Sequence, residues 1–209
     1  MLQETQNLAT MNITLIPAII LGHHNYSKSP DIRLDELSYT IHLIDQIHTQ
    51  LLQSTKHTPF ITINKHTGTR AEILEQLNQQ IHLDAASTNL VIAVGLNASI
   101  GDGRYHTSNG WTVINSPQSK ESAALAIALA RASIDNLGSK AISPQGQISS
   151  RRFLNQAEIL SNLKCPAVLT LNLYQDNRQD IHYLLSSAGH QAIVDLHVKG
   201  IMTYLGLNP

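Results

Sequence analysis

The sequence predicts an α/β fold, a three-layer sandwich whose mostly parallel central sheet of about five or six strands is flanked by helices. Short apolar runs alternate along the chain with longer segments whose apolar residues recur at three- and four-residue steps. The run at 90–94 is nearly continuous in apolar residues, as a strand covered on both faces is, while 60–63 alternates. The 209 residues, 42% hydrophobic and only 14% charged, suit one compact domain and exclude a disordered chain.

Each element follows from its local pattern. Residues 13–21 read as a buried parallel strand delivering Gly22-His23-His24 to a loop. From Asp31 onward, Leu34, Leu37, Ile41, Leu43, Ile44, Ile47 and Leu51 mark an amphipathic helix of about five turns, capped by Asp31 or Asp35. Residues 60–63 form a second strand and 69–81 a second helix opened by Gly68-Thr69. Residues 90–94 form a third, central strand, and the glycines at 101, 103 and 110 place 97–110 in a loop. Residues 111–114 read as a strand, and Ser119-Lys-Glu-Ser122 starts an alanine-rich helix ending near Leu137. A loop follows over 138–150, then a late strand over 167–174 and a closing helix over 188–205. No linker or repeat divides the chain, so residues 1–12 are an N-terminal extension and 13–209 one domain.

Composition narrows function. A net charge of −1 leaves no reservoir of positive charge for a phosphate backbone, so no nucleic-acid partner is expected. The apolar run at 13–21 falls short of the ~20 residues that span a bilayer, so no membrane insertion is expected. The stretch before it carries no Lys or Arg, which argues against a signal peptide. Cys165, the single cysteine, forms no internal disulfide and reads as a small buried residue. Trp111 reads as a core aromatic, with carbohydrate stacking as the alternative.

Ligands of open α/β sheets gather beyond the carboxyl ends of the strands, which directs attention to His23 and His24, to Gly95-Leu96-Asn97 and to Leu171-Asn172. Glu36 opens the first long helix, and an imidazole beside a carboxylate is a usual zinc pairing. Taken alone, His23 also fits a hydrogen-bonded loop residue, and Glu36 a favourable partner of the helix dipole.

From about Ile13 to Leu205 this layout resembles the zinc-dependent N-acetylmuramoyl-L-alanine amidases. Their first strand ends in Ala-Gly-His-Gly, similar to Leu21-Gly22-His23-His24, and their first helix begins with a metal-binding Glu, similar to Glu36. Their central Ser-Ile-His-Ala-Asn-Ala is similar to Ala93 through Ala98, and their late Pro-Ala-Val-Leu-x-Glu-x-Gly-Phe to Pro166 through Tyr174, with Asn177 and Asp180 trailing. The resemblance implies zinc held by His23 and Glu36, and peptidoglycan or its stem peptide as partner.

Two departures define the expectation. The third zinc ligand falls on Gly95 and the catalytic Glu on Leu171, and a leucine cannot move a proton. The sequence therefore predicts an amidase homologue with impaired catalysis, zinc lost or weakly bound, and a remaining wall-binding or structural role. The alternative is an active zinc amidase, endolysin- or autolysin-like, that recruits His106 or His24 as third ligand and a loop carboxylate such as Asp102 as base. Asn97 either ties down a turn or meets substrate; Arg151 either faces solvent or meets a stem-peptide carboxylate. A protein carried by phage or released by lysis, or else a cytoplasmic one, fits the lack of an export signal.

Overall fold

The computed structural model describes residues 11–21, 29–54, 60–63, 69–83, 88–99, 102–116, 118–141 and 160–207. The strands are β1 (Met11–Pro17), β2 (Phe60–Ile63), β3 (Thr88–Asn97), β4 (Thr112–Asn115) and β5 (Ala167–Tyr174). The helices are α1 (Glu36–Ser54), α2 (Arg70–Leu83), α3 (Lys120–Leu137), α4 (Arg178–Leu185) and α5 (Ser187–Tyr204).

The five strands lie in the order β2-β1-β3-β5-β4. The pairs β1/β2, β1/β3 and β3/β5 are parallel, while β4 runs antiparallel to β5 at the edge. The sheet is thus mostly parallel, as the alternation of short apolar runs with helices predicts. Helices cover both faces. Leu43, Ile44, Ile47 and Leu51 of α1 join residues of α3 and α5 in one apolar cluster with Ile13, Leu15, Ile92 and Val94. Ile73 of α2 packs with Leu160 and Leu163 against Ile16, Val91, Ala93, Leu169 and Leu171 on the other face.

Local chemistry explains the helix starts. The Asp35 carboxylate accepts from the Leu37 N–H at 3.2 Å and the Ser38 hydroxyl at 2.7 Å, so Asp35 caps α1 and Asp31 does not. Thr69 and Glu72 exchange hydrogen bonds across the first turn of α2, a reciprocal capping box. Ser119 accepts from Ser122 N–H and caps α3.

Three sequence expectations need correction. The first strand ends at Pro17 and the chain turns into a 3₁₀ helix, Ala18–Leu21, because proline has no N–H to continue the ladder. The buried stripe of α1 is Thr40, Leu43, Ile44, Ile47 and Leu51, whereas Leu37 is exposed, because the carboxylate at position 36 turns inward and sets the rotation of the helix. Finally, α4 was not foreseen. Its polar residues 178–180 hide the period, yet Asn177 accepting from Gln179 and Asp180 N–H is a recognisable cap.

The connection from β1 through α1 to β2 covers one face, and the return through α2 to β3 covers the other. The chain therefore leaves β1 and β3 in opposite directions at their carboxyl ends, which opens the crevice where doubly wound sheets bind ligands.

Candidate functional site

Glu36, the first residue of α1, points its carboxylate into this crevice and is buried. Beyond Val94, β3 outruns the ladder with β1, so the next N–H groups on that side need other partners. Leu96 N–H donates to Glu36 Oε1 at 3.2 Å, and Gln175 Nε2 donates to Oε2 at 3.2 Å.

Gly95 and Leu171 sit opposite each other on the β3/β5 ladder, and Thr112 of β4 flanks Leu171 on its other side. The two departures found in the sequence are thus one rung of the sheet. Leu171 is fully buried among Ala93, Ile114 and Leu169 on the α2 face. The rung is apolar and offers no group that could hold a cation or carry a proton.

Past this rung the ladder shifts register between Gly95 and Asn97, and Leu173 adopts φ 64°. A leucine in this left-handed region costs on the order of 1–2 kcal/mol. It falls where the late amidase-like element carries Gly, which adopts such a φ freely. The bulge directs Tyr174, Gln175 and Asp176 across the end of the sheet. There Gln175 N–H donates to Asn97 O at 2.9 Å, and Ser99 N–H donates to Asp176 Oδ2 at 2.7 Å.

Asn97 is buried, and its Oδ1 accepts from Ala98 N–H at 2.9 Å. His106 Nε2 lies 2.9 Å from Asp102 Oδ1, and this hydrogen bond, with support from Arg104, holds Asp102 below the usual carboxylate range. His106, one of the two substitute ligands, and Asp102, the substitute base, are therefore bound to each other on the exposed loop. The backbone of His106 is fixed by Asp176 O and by the Asn177 side chain. His23, His24 and Arg151 lie outside the described residues.

The trailing Asn177 and Asp180 serve the frame. Asp180, fully buried, accepts from Gly110 N–H, Tyr174 N–H and Lys140 Nζ, so it binds the loop after β3 to the end of β5. Trp111 is buried, and its indole N–H donates to Asn172 Oδ1 at 2.7 Å, which leaves no face for a sugar. Asn172 in turn donates to Gly95 O and to Thr170 Oγ1, and the Thr170 hydroxyl lies 3.0 Å from His197 Nε2. Asp31 meets the Tyr105 hydroxyl, Ser29 and Arg178, and the Tyr105 hydrogen bond above all holds its carboxyl below the usual range. Sequence reasoning missed Gln175 and Asp176. The only signal for them was their place just beyond the late strand.

A catalytic zinc needs three protein ligands and an open position. Among the described residues no three His, Cys, Asp or Glu converge on one point, and glycine stands at the third-ligand place, so the described residues alone do not make a three-ligand site. Glu36 accepts an N–H on each oxygen, as a carboxylate can whether or not it also meets an ion.

The sheet order, the crevice at the end of β1 and β3, and the helix opening on an inward glutamate define an amidase-type α/β domain. Solved structures bear this out. The N-acetylmuramoyl-L-alanine amidase of Clostridium difficile 630 superposes with a TM-score of 0.71 at 13% identity, over 96% of this chain and 100% of that one. The catalytic domain of CwlV, an N-acetylmuramoyl-L-alanine amidase from Bacillus (Paenibacillus) polymyxa var. colistinus, gives 0.66 at 17%, over 95% and 100%. The catalytic domain of an endolysin targeting Clostridia difficile gives 0.63 at 22%, over 95% and 99%. No protein-family model matches the sequence, and neither does any curated protein. The chain thus has the N-acetylmuramoyl-L-alanine amidase fold over nearly its whole length.

Proposed function

We propose that this protein is a peptidoglycan-amidase homologue whose hydrolytic centre has been dismantled, and that it acts as a wall-directed binding or structural module. The observation that carries the reading is the Gly95–Leu171 rung. Where the resemblance requires an imidazole and a general base, the sheet presents a hydrogen and a buried isobutyl group. Losing a positioned base costs ~10²–10⁴ in rate, and losing a metal ligand with it removes the activated water as well. The pairing of His106 with Asp102 supports the same reading, since one substitute ligand and the substitute base are engaged with each other. The proposed partner is peptidoglycan or its stem peptide, reached from a phage particle or after lysis.

The test uses purified sacculi. Full-length protein incubated with them, with and without added zinc, releases no stem peptide above the buffer control, and it sediments with the wall material. Zinc-dependent release that chelator abolishes would overturn the proposal.

A further inference from the structure

A carboxylate that is taken out of water needs compensating partners, or it destabilises the fold. Glu36, 9% exposed, finds three kinds of compensation among the described residues. It opens α1, where the helix dipole favours negative charge. Leu96 N–H fixes Oε1 from β3, and Gln175 Nε2 fixes Oε2 from the end of β5. Gln175 is itself 2% exposed, and its backbone N–H is tied to Asn97 O, so its amide is held in place by backbone.

We propose that Gln175 and the Leu96 N–H form a cation-free clamp on Glu36. Neutral N–H dipoles do here what a divalent ion does for a buried carboxylate elsewhere, and they join the start of α1 to the ends of β3 and β5. Gln175 is then a positioning residue, and the domain reaches full stability without metal. The inference goes beyond the proposed function, because it concerns what holds the crevice together. Its readout is stability, so failure to bind sacculi leaves it untouched.

Thermal unfolding of the full chain tests it. The wild-type Tm stays within about 1 °C in chelator and in excess zinc, because a ligand that does not bind the native state does not shift Tm. Gln175→Leu keeps the bulk but removes the donor, and it lowers Tm by roughly 5–10 °C. Gln175→Glu sets two carboxylates against each other; it lowers Tm further and gains a zinc-dependent rise that the wild type lacks. Exchanging the partners, Glu36→Gln with Gln175→Glu, restores most of the loss, because Leu96 N–H still meets a side-chain oxygen and an amide still meets a carboxylate. The exchange also decides the matter should a single variant fail to fold. A wild-type Tm that rises several degrees with zinc, an unchanged Gln175→Leu, or an exchange no better than Gln175→Glu alone would each overturn the clamp.

Discussion

Replacing Leu171 with Glu asks whether the amidase-like position is an idle catalytic slot or a fixed part of the core. Leu171 is 0% exposed, packed among Ala93, Ile114 and Leu169 and flanked by Gly95 and Thr112 on its two ladders. Loss of its apolar burial costs ~2 kcal/mol. The described residues around it offer the new carboxyl no partner, so the folded state keeps it protonated, and its folded pKa lies above the ordinary glutamate value. At pH 7, holding protonated a group that titrates near ~4.3 when unfolded costs about 4 kcal/mol more. The penalty is therefore about 6 kcal/mol at pH 7, or roughly 12–24 °C in Tm for a chain of this size. The sign follows from the raised folded pKa. As pH falls to ~4.3 the unfolded state also takes up the proton, and the difference from wild type shrinks toward ~2 kcal/mol. Urea unfolding of both proteins at pH 7 and pH 5 measures it. Equal stabilities at pH 7, or a gap that does not narrow in acid, would show that position 171 reaches water and refute the description of the rung.

Further expectations follow from other contacts. A Cβ at Gly200 would lie 2.7 Å from Leu129 Cδ2 and 2.9 Å from Leu129 Cα, where α5 crosses α3. Gly200→Ala thus pits ~1 kcal/mol of helix propensity against up to ~3 kcal/mol of overpacking, and calorimetry registers a Tm lower by roughly 4–8 °C. His197 is fully buried between Thr170 and Ile193 O, and burial lowers its pKa from 6.5 to about 4. Stability from the neutral ring is complete above pH 6.5 and drains away as pH falls toward about 4. This loss is on the order of 3 kcal/mol, and a denaturation series across that window loses much of its slope in His197→Gln. Burial pushes the Cys165 thiol up to about 12, so thiol-alkylating reagent at pH 8 leaves native protein unlabelled and modifies it only on unfolding; rapid native labelling would contradict the packing.

Much of the frame was legible because it is written in local chemistry. The late strand occupies Ala167–Tyr174 as its apolar run, interrupted only by Thr170 and Asn172, foretold, and α3 starts at the Ser119 cap. Trp111 proved a core residue, whereas Cys165 is only partly buried at the edge of the α2-side cluster. Where periodicity met a conflicting residue it lost: Pro17 ended the first strand early, and the polar opening of α4 concealed a helix.

The sequence by itself determined the fold class, the order of the strands and of the helices other than α4, and the identity of the residues at the two decisive places, glycine at 95 and leucine at 171. Only the tertiary structure decided that these two share a rung, that Leu173 is bent to φ 64° beyond it, and that Glu36 is gripped by Leu96 and Gln175 rather than left open. It also decided that Asp102 and His106 face each other on their loop. The reason is physical. Caps and periodic stripes depend on neighbours three or four residues away, whereas strand register and the partner of a buried carboxylate join positions up to 139 residues apart and are settled only when the layers close on one another.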